Sequence, residues 1–131
     1  MHPFRTAVEA RDLQAMYDCL ADDVVFTSPV AFKPYAGKAI TSAILEAVFQ
    51  VFENFRYVRE IGAEGAADHA LVFAADVDGK SLTGCDFIHV NQDGLIDDFM
   101  VMVRPLSAAQ ALSAAMAARF EDIAKKAAAA G

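Results

Sequence analysis

The chain has little positive charge and no long apolar run. Its 131 residues carry 11 Lys and Arg against 18 Asp and Glu, which gives a net charge of −7, and no basic cluster is longer than Lys125-Lys126. Nucleic acids and anionic membrane surfaces both attract proteins through positive charge, so neither is an expected partner. No stretch approaches the roughly 18 apolar residues of a membrane-spanning helix.

Cysteine is equally scarce, and the spacings that bind metals or cofactors are missing. Cys19 and Cys85 are too few for a disulfide scaffold and fit buried thiols in a reducing compartment. No Cys or His spacing suits zinc, and no glycine-rich phosphate loop follows a strand, so we expect neither a metal nor a cofactor. The first residues lack a basic segment followed by an apolar one, so the expected compartment is the cytoplasm.

Apolar residues, by contrast, are abundant. They make up 56% of the chain and charged residues 22%, which is ample material for a core and gives no compositional sign of disorder. A chain of this length forms one ordinary domain, residues 1–131, and it contains no internal repeat and no linker. The alanine-rich end, residues 125–131, is expected to fray.

Helical patterns dominate the first half of the chain and strand patterns the second. Apolar spacing predicts a short helix from Phe4, a second helix capped by Asp12, and a third after Gly37, with a strand at Val24–Ser28 between them. Ser107 and Gln110 form a capping box for a last helix. Further strands are predicted at 56–64, 70–77, 80–90 and 95–104.

Two turns between the predicted strands determine which residues share a face of the sheet. Asp78-Gly79 is a strong two-residue hairpin signal and places Asp86 opposite Leu71. A second turn centred on Gln92-Asp93 places Asp86 opposite Phe99, because cross-strand partners share a face. A one-residue bulge in either turn would exchange the faces.

Asp86 is the only ionisable residue predicted to point inward between Leu82 and Val90. Burial among apolar side chains raises the pKa of a carboxyl unless a donor lies nearby. A neutral Asp can donate a hydrogen bond to a carbonyl, and an ionised Asp can remove a proton. The alternative is a structural acid, satisfied by a helix donor or a buried water.

A ligand pocket around Asp86 is predicted on the concave face of the sheet. Asp97 is expected to add a second acid toward the pocket mouth. Ser28 could instead cap the end of its strand, and Tyr17 could place only its hydroxyl at the rim. The side chains predicted to line the pocket are Tyr17, Ser28, Tyr35, Phe73, Asp97, Phe99 and Val101.

The opposite, convex face of the predicted sheet is mixed in character but too apolar at its centre to face water. Met100 and Met102 on this face suit an adaptable apolar contact between subunits. We therefore expect a homodimer through the convex face, unless the last helix covers part of it.

The order of predicted elements and several local motifs resemble the NTF2-like superfamily and, within it, the SnoaL-like proteins. The resemblance covers residues 4 to about 106 and implies an α+β cone, with a curved antiparallel sheet wrapped around N-terminal helices and a C-terminal helix. It specifies the fold better than the activity. The motifs that carry it are Arg11-Asp12-Leu13, Leu20 to Pro29, Tyr35-Ala36-Gly37, Asp93-Gly94-Leu95-Ile96 and Val103-Arg104-Pro105.

The resemblance to ketosteroid isomerase allows a comparison at single positions. The helix-one tyrosine of that family falls at Phe4, and its proton-transferring aspartate falls at Ser28. Its second acid, which is held neutral as a hydrogen-bond donor, falls at Asp86. One of three functional positions is retained, so the resemblance argues against steroid isomerase chemistry.

These observations lead us to expect a SnoaL-like protein that binds a small apolar or amphipathic molecule in a conical pocket. It would catalyse cofactor-free acid/base chemistry, such as isomerisation, cyclisation or hydration, with Asp86 as acid or base. The alternative is a non-catalytic ligand-binding or dimeric interaction module. A third hypothesis, an epoxide hydrolase of related fold, needs several polar groups around one water, and only Asp86 and Asp97 are candidates.

Overall fold

Helices occupy both ends of the chain in the computed structural model, which describes residues 1–130. The six strands lie between these ends and form one sheet. In chain order the elements are α1 (Pro3–Glu9), α2 (Leu13–Asp18), β1 (Leu20–Thr27), β2 (Tyr35–Ala36), α3 (Lys38–Val51), β3 (Glu53–Ile61), β4 (Asp68–Val77), β5 (Lys80–Val90), β6 (Ile96–Arg104), α4 (Leu106–Ala117) and α5 (Phe120–Ala130).

The first helices begin at polar caps. His2 Nδ1 accepts a hydrogen bond from the Phe4 amide at 3.0 Å, and the proline that follows His2 occupies the first turn of α1, where a missing N–H costs little. Asp12 Oδ1 accepts from the Ala15 amide at 3.0 Å and caps α2. The predicted Asp12 cap is therefore confirmed.

The C-terminal part differs from its prediction in two ways. The Ser107 capping box is wrong, because α4 begins at Leu106, two residues earlier than that cap requires, and Pro105 stands at its N-cap without a side-chain hydrogen bond. The single predicted helix is two helices, since α4 ends at Ala117 and α5 starts at Phe120. Helix α5 continues through Ala130, and position 131 of the expected frayed tail lies outside the described residues.

The sheet has the strand order β2-β1-β6-β5-β4-β3. Neighbouring strands run antiparallel as expected, except that β1 and β6 are parallel. The short strand β2, which pairs Ala36 with Val25, is not among the predicted strands. Both differences depend on long-range pairing, which local patterns do not specify.

The register between β4 and β5 matches its prediction at every pair, with Val77 opposite Lys80 and Leu71 opposite Asp86. The Asp78-Gly79 turn supplies the required backbone, because Asp78 and Gly79 have φ angles of 50° and 75°. Asp86 therefore points to the concave side of the sheet, as expected.

The register between β5 and β6 was predicted incorrectly. Asp86 lies opposite Val101 instead of Phe99, and Val90 lies opposite Ile96. The loop is one residue longer than predicted and a bulge follows it, so Asp97 has no partner in the ladder. The two changes cancel in side-chain alternation, which keeps Phe99 and Val101 on the same face as Asp86.

The core lies between the concave face of the sheet and the helices. Phe4, Phe73 and Phe99 are its largest fully buried side chains. The C-terminal helices also pack on this side, because Leu112 of α4 and Ile123 of α5 face the interior. The idea that the last helix covers part of the convex face is therefore wrong.

Candidate functional site

The sheet and helices enclose a cavity of about 400 Å³, a volume in the range of small-molecule sites. Apolar side chains from α1, α3, α4, α5 and the concave face of the sheet form most of its wall. Asp86 is the only charged residue among the described residues that line it. The hydroxyl groups of the lining belong to Ser28, Tyr35 and Ser113.

Asp86 is buried in this wall, with 6% of its surface exposed. Its Oδ2 accepts a hydrogen bond from the Tyr57 hydroxyl at 3.2 Å. Burial raises the pKa of Asp86 to about 7, because the ionised form loses its hydration, and the Tyr57 hydrogen bond opposes this rise only in part. Neutral and ionised Asp86 therefore coexist near neutral pH.

Tyr57 of β3 is a site residue that the sequence did not reveal. It lies opposite Phe73 in the ladder between β3 and β4 and is 8% exposed. Burial and the neighbouring Asp86 raise its pKa, so Tyr57 remains protonated and acts as the donor. Arg5 packs over its ring, with the guanidinium carbon 5.7 Å from the ring centroid.

One sequence signal could have pointed to Tyr57. Phe55 and Tyr57 alternate along β3, and a period of two places both on one face of a strand. However, the β3–β4 ladder contains register shifts on both sides of the Arg56 to Tyr57 pairing. Those irregularities carry no clear residue signature, so the partner of Tyr57 could not be assigned.

Most of the predicted pocket residues come together around Asp86. Ser28, Tyr35, Phe73, Phe99 and Val101 all line the cavity. Ser28 also takes the alternative role considered for it, because its Oγ accepts from the Val30 and Ala31 amides at 3.1 and 3.3 Å and so closes the turn after β1.

Tyr17 and Asp97 do not line this cavity. The Tyr17 hydroxyl donates to Glu46 Oε2 at 3.4 Å, and burial together with Glu46 raises the Tyr17 pKa to about 12. Asp97 is the extra residue of the β6 bulge, and its Oδ1 lies 2.6 Å from His89 Nδ1. The prediction that Asp97 adds a second acid at the pocket mouth is therefore wrong.

Two further findings concern the described residues as a whole. Within residues 1–130, no group of three or more His, Cys, Asp or Glu side chains is arranged to hold a metal ion. None of the helices in that range is both long and apolar enough to cross a membrane.

Comparison with known proteins gives a family and a set of structural relatives. The family profile described as a SnoaL-like domain matches residues 2–99. A steroid delta-isomerase from Pseudomonas aeruginosa is 41% identical with a TM-score of 0.84, over 91% of this chain and 87% of that chain. A protein with a cystatin-like fold from Silicibacter pomeroyi DSS-3 is 38% identical with a TM-score of 0.84, over 91% and 86% of the two chains.

This chain belongs to the SnoaL-like domain family. A more distant relative, an NTF2-like protein from Cytophaga hutchinsonii, is 20% identical with a TM-score of 0.60 over 79% of this chain and 85% of that chain, and it supports the fold alone. The expected NTF2-like α+β fold is thus confirmed. No curated protein sequence matches the chain.

The three positions compared earlier with ketosteroid isomerase all line the cavity of this SnoaL-like domain, at Phe4, Ser28 and Asp86. Phe4 is fully buried and packs edge-on against Phe99, with ring centroids 5.1 Å apart. It has no hydroxyl to offer a ligand. Tyr57, from β3, supplies a phenol beside Asp86 instead.

Proposed function

We propose that this SnoaL-like domain binds a small, mainly apolar carbonyl compound in the conical cavity and moves a proton on it without a cofactor. The observation that carries the proposal is Asp86, a single carboxyl with a pKa of about 7 in an otherwise uncharged cavity wall. A group titrating near the working pH serves both as base and as acid. Perturbed groups of this kind are frequent at active sites.

The proposed reaction is the isomerisation of an unsaturated carbonyl compound. The ionised Asp86 removes a proton from the carbon next to the carbonyl, and the electron pair of the broken C–H bond moves onto the carbonyl oxygen through an enolate. Neutral Asp86 then returns the proton to a different carbon of the conjugated system, and the double bond shifts. The hydroxyls of Ser28, Tyr35 and Ser113 are the groups of the wall that can donate to the developing oxyanion.

The relative named a steroid delta-isomerase supports this reaction class, since it is 41% identical to this chain. The full three-residue arrangement of ketosteroid isomerase is not part of the proposal, because Phe4 and Ser28 replace its tyrosine and base. The substrate class therefore extends to small β,γ-unsaturated ketones, with steroid ketones as one member to be tested.

Turnover by an Asp86→Asn variant tests the proposal. Conversion of a β,γ-unsaturated ketone to the conjugated enone is followed by ultraviolet absorbance, with 3-cyclohexenone and a steroid ketone as probes. We expect the variant to lose activity by roughly 100-fold or more, which is the contribution of a general acid/base. Asp98→Asn, an exposed carboxyl on the convex face, is the matched control. Full activity of Asp86→Asn would refute the catalytic role.

The second candidate function is a non-catalytic ligand-binding module in which Asp86 is structural. Phe4 and Ser28 favour it, because these two positions lack the tyrosine hydroxyl and the aspartate carboxyl of ketosteroid isomerase. This function predicts that the ketone probes bind equally to the original chain and to Asp86→Asn, and that neither protein isomerises them.

A homodimer through the convex face of the sheet is a further part of the proposal. Phe87 and Met102 on that face are 38% and 52% exposed, and no helix of the described residues covers them. Cys85 on the same face is a free thiol, which agrees with the reducing cytoplasm as the proposed compartment. Multi-angle light scattering at micromolar concentration tests the dimer, and Met102→Glu should shift it to monomer if the face is the contact.

A further inference from the structure

A second cavity, of about 470 Å³, shares one wall with the ligand cavity. Phe49, Phe52 and Phe55 line both, so these three rings separate the two spaces. The rings pack tightly, since the Phe55 centroid lies 5.3 Å from that of Phe49 and 5.7 Å from that of Phe52. The second cavity therefore offers an aromatic floor of its own.

Apart from Val8 and Leu13, the remaining wall of the second cavity is polar, in contrast to the ligand cavity. It is built where the α1–α2 turn, α3 and the start of β3 meet. Its charged and amide side chains are Glu9, Arg11, Glu46, Gln50, Asn54 and Arg56.

The two acids of this wall are already paired with cations that lie outside it. Glu9 Oε2 is 3.5 Å from Arg5 Nε, and Glu46 Oε1 is 3.1 Å from Lys126 Nζ. Glu46 thus has a cation of its own, whereas Glu9 shares Arg5 with Glu60, whose Oε1 lies 3.3 Å from Arg5 Nη1. Neither carboxylate forms an ion pair with Arg11 or Arg56.

The two arginines of the wall, in contrast, make no ion pair within the described residues 1–130. Arg56 Nη1 donates to the Asn54 carbonyl oxygen at 2.8 Å. Asp76 attracts Arg56 electrostatically, but its two oxygens accept from Asn54 Nδ2 and Ser81 Oγ, each at 2.9 Å. The cavity therefore has positive charge to offer an occupant, although the chain as a whole is acidic.

We propose that the second cavity is a binding site for a small aromatic carboxylate, with the ring on the Phe49, Phe52 and Phe55 floor and the carboxylate on Arg11 and Arg56. Guanidinium groups bind carboxylates through short charge-assisted hydrogen bonds, and aromatic walls accept a planar ring. This site is separate from the ligand cavity. It does not require Asp86 to be catalytic.

The backbone of the same wall is held in an uncommon conformation at two positions. Arg11 and Asn54 have φ angles of 56° and 54°, in the left-handed region that residues other than glycine rarely adopt. Arg11 directly follows the C-cap of α1, where its amide donates to the Val8 carbonyl oxygen in a common left-handed helix ending. Asn54 lies where the β3–β4 register shifts, and Asp78 lies in its hairpin turn.

Tyr57 connects this site to Asp86, the candidate catalytic residue. Tyr57 lines the second cavity, and its hydroxyl donates to Asp86 across the wall. A carboxylate bound beside Tyr57 would make ionisation of Asp86 less favourable, because like charges repel through the low-dielectric wall. The site would thus couple an anion to the protonation of Asp86.

Nuclear magnetic resonance titration of the full chain with two probes tests the site. The probes are 2-naphthoate and its neutral analogue 2-naphthalenemethanol. We expect naphthoate to shift the amide signals of Arg11, Asn54 and Arg56, and we expect the neutral probe to shift those of Val101 and Leu112 in the ligand cavity. Combined Arg11→Gln and Arg56→Gln should weaken naphthoate binding roughly tenfold or more and leave the neutral probe unaffected.

A matched control separates specific contact from bulk charge. Arg59→Gln combined with Arg104→Gln removes the same charge from exposed positions that do not line the second cavity. Equal weakening by both double variants would overturn the proposal, since naphthoate would then respond only to net charge. It would also be overturned if naphthoate shifted signals of the ligand cavity alone, or if the Arg11 and Arg56 substitutions left its affinity unchanged.

Discussion

Replacing Asp86 with Asn should stabilise the fold at high pH and leave it nearly unchanged at low pH. Burial raises the pKa of Asp86 from its ordinary 3.8 to about 7. At ~1.36 kcal/mol per pKa unit, this shift corresponds to about 4 kcal/mol of unfavourable free energy for the ionised, folded form. Relaxation and water entry around the carboxylate reduce that cost, so we expect a gain of about 2 to 4 kcal/mol.

The sign follows from proton binding. Between about pH 4 and pH 7 the folded state holds a proton on Asp86 that the unfolded chain has already released. Stability of the original chain therefore falls as the pH rises through this window. Asn cannot ionise, and its amide oxygen can still accept from Tyr57. The stability difference between the variant and the original chain should grow with pH and level off above about pH 8.

Urea unfolding followed by circular dichroism, at several values between about pH 3.5 and pH 8.5, measures this difference. Asp93→Asn, an exposed carboxyl in the β5–β6 loop, is the control and should show no such growth. Tyr57→Phe removes the donor to the carboxylate, so the Asp86 pKa should rise further. The fall in stability should still begin near pH 4, where the unfolded chain ionises, but it should extend to higher pH. A pH-independent effect of Asp86→Asn, or a loss of stability at pH 8, would refute the reasoning.

Two other substitutions test particular contacts. A Cβ at Gly84 would overlap the Phe73 ring, with Phe73 Cε2 only 2.6 Å away. Gly84→Ala should therefore lower the free energy of unfolding by roughly 1 to 3 kcal/mol, measured by thermal unfolding, and weaken the binding of apolar ligands. Thr83→Ala, on the opposite face, should have neither effect. Asp97→Asn should lower the His89 pKa, which its hydrogen bond to Asp97 raises; the His89 ring titration by magnetic resonance checks this. The pair stabilises the fold below the ordinary His pKa of 6.5 and ceases to do so as the pH rises through the raised value.

The fold was accessible from the sequence because its strongest signals are local. Asp78-Gly79 supplies two residues that tolerate positive φ, and a two-residue loop permits one register for the strands it joins. That single turn was enough to place Asp86 on the concave face opposite Leu71. Helix spacing and the Asp12 cap identified the helices that fill the cone.

The β5–β6 connection shows where local signals end. Asn91 Oδ1 accepts from the Asp93 and Leu95 amides at 2.9 and 3.0 Å, which closes a longer loop than the one predicted. The bulge that follows turns Asp97 toward His89. A one-residue change of this kind depends on competing side-chain hydrogen bonds, whose outcome the residue types alone do not determine.

Of the Asp86–Tyr57 pair, the sequence predicted only Asp86, for a related reason. Asp86 was recognisable because an acid in an apolar strand is unusual in any register. Tyr57 was not, since an aromatic residue in a strand is ordinary, and its partner lies 29 positions away across an irregular ladder. Polar pairs between distant strands are therefore not specified by local residue patterns, even when each member belongs to a well-predicted element.

The origin of the phenol changes what Asp86 can do. A tyrosine at position 4 would present its hydroxyl from α1, whereas Tyr57 directs its hydroxyl at the Asp86 carboxylate. The Tyr57 hydrogen bond favours the ionised acid and partly offsets the effect of burial, which keeps the pKa near 7. At neutral pH one carboxyl is then present in both forms in comparable amounts. In the proposed reaction Asp86 can thus accept a proton in one step and return it in the next, without a further carboxyl at the position of Ser28.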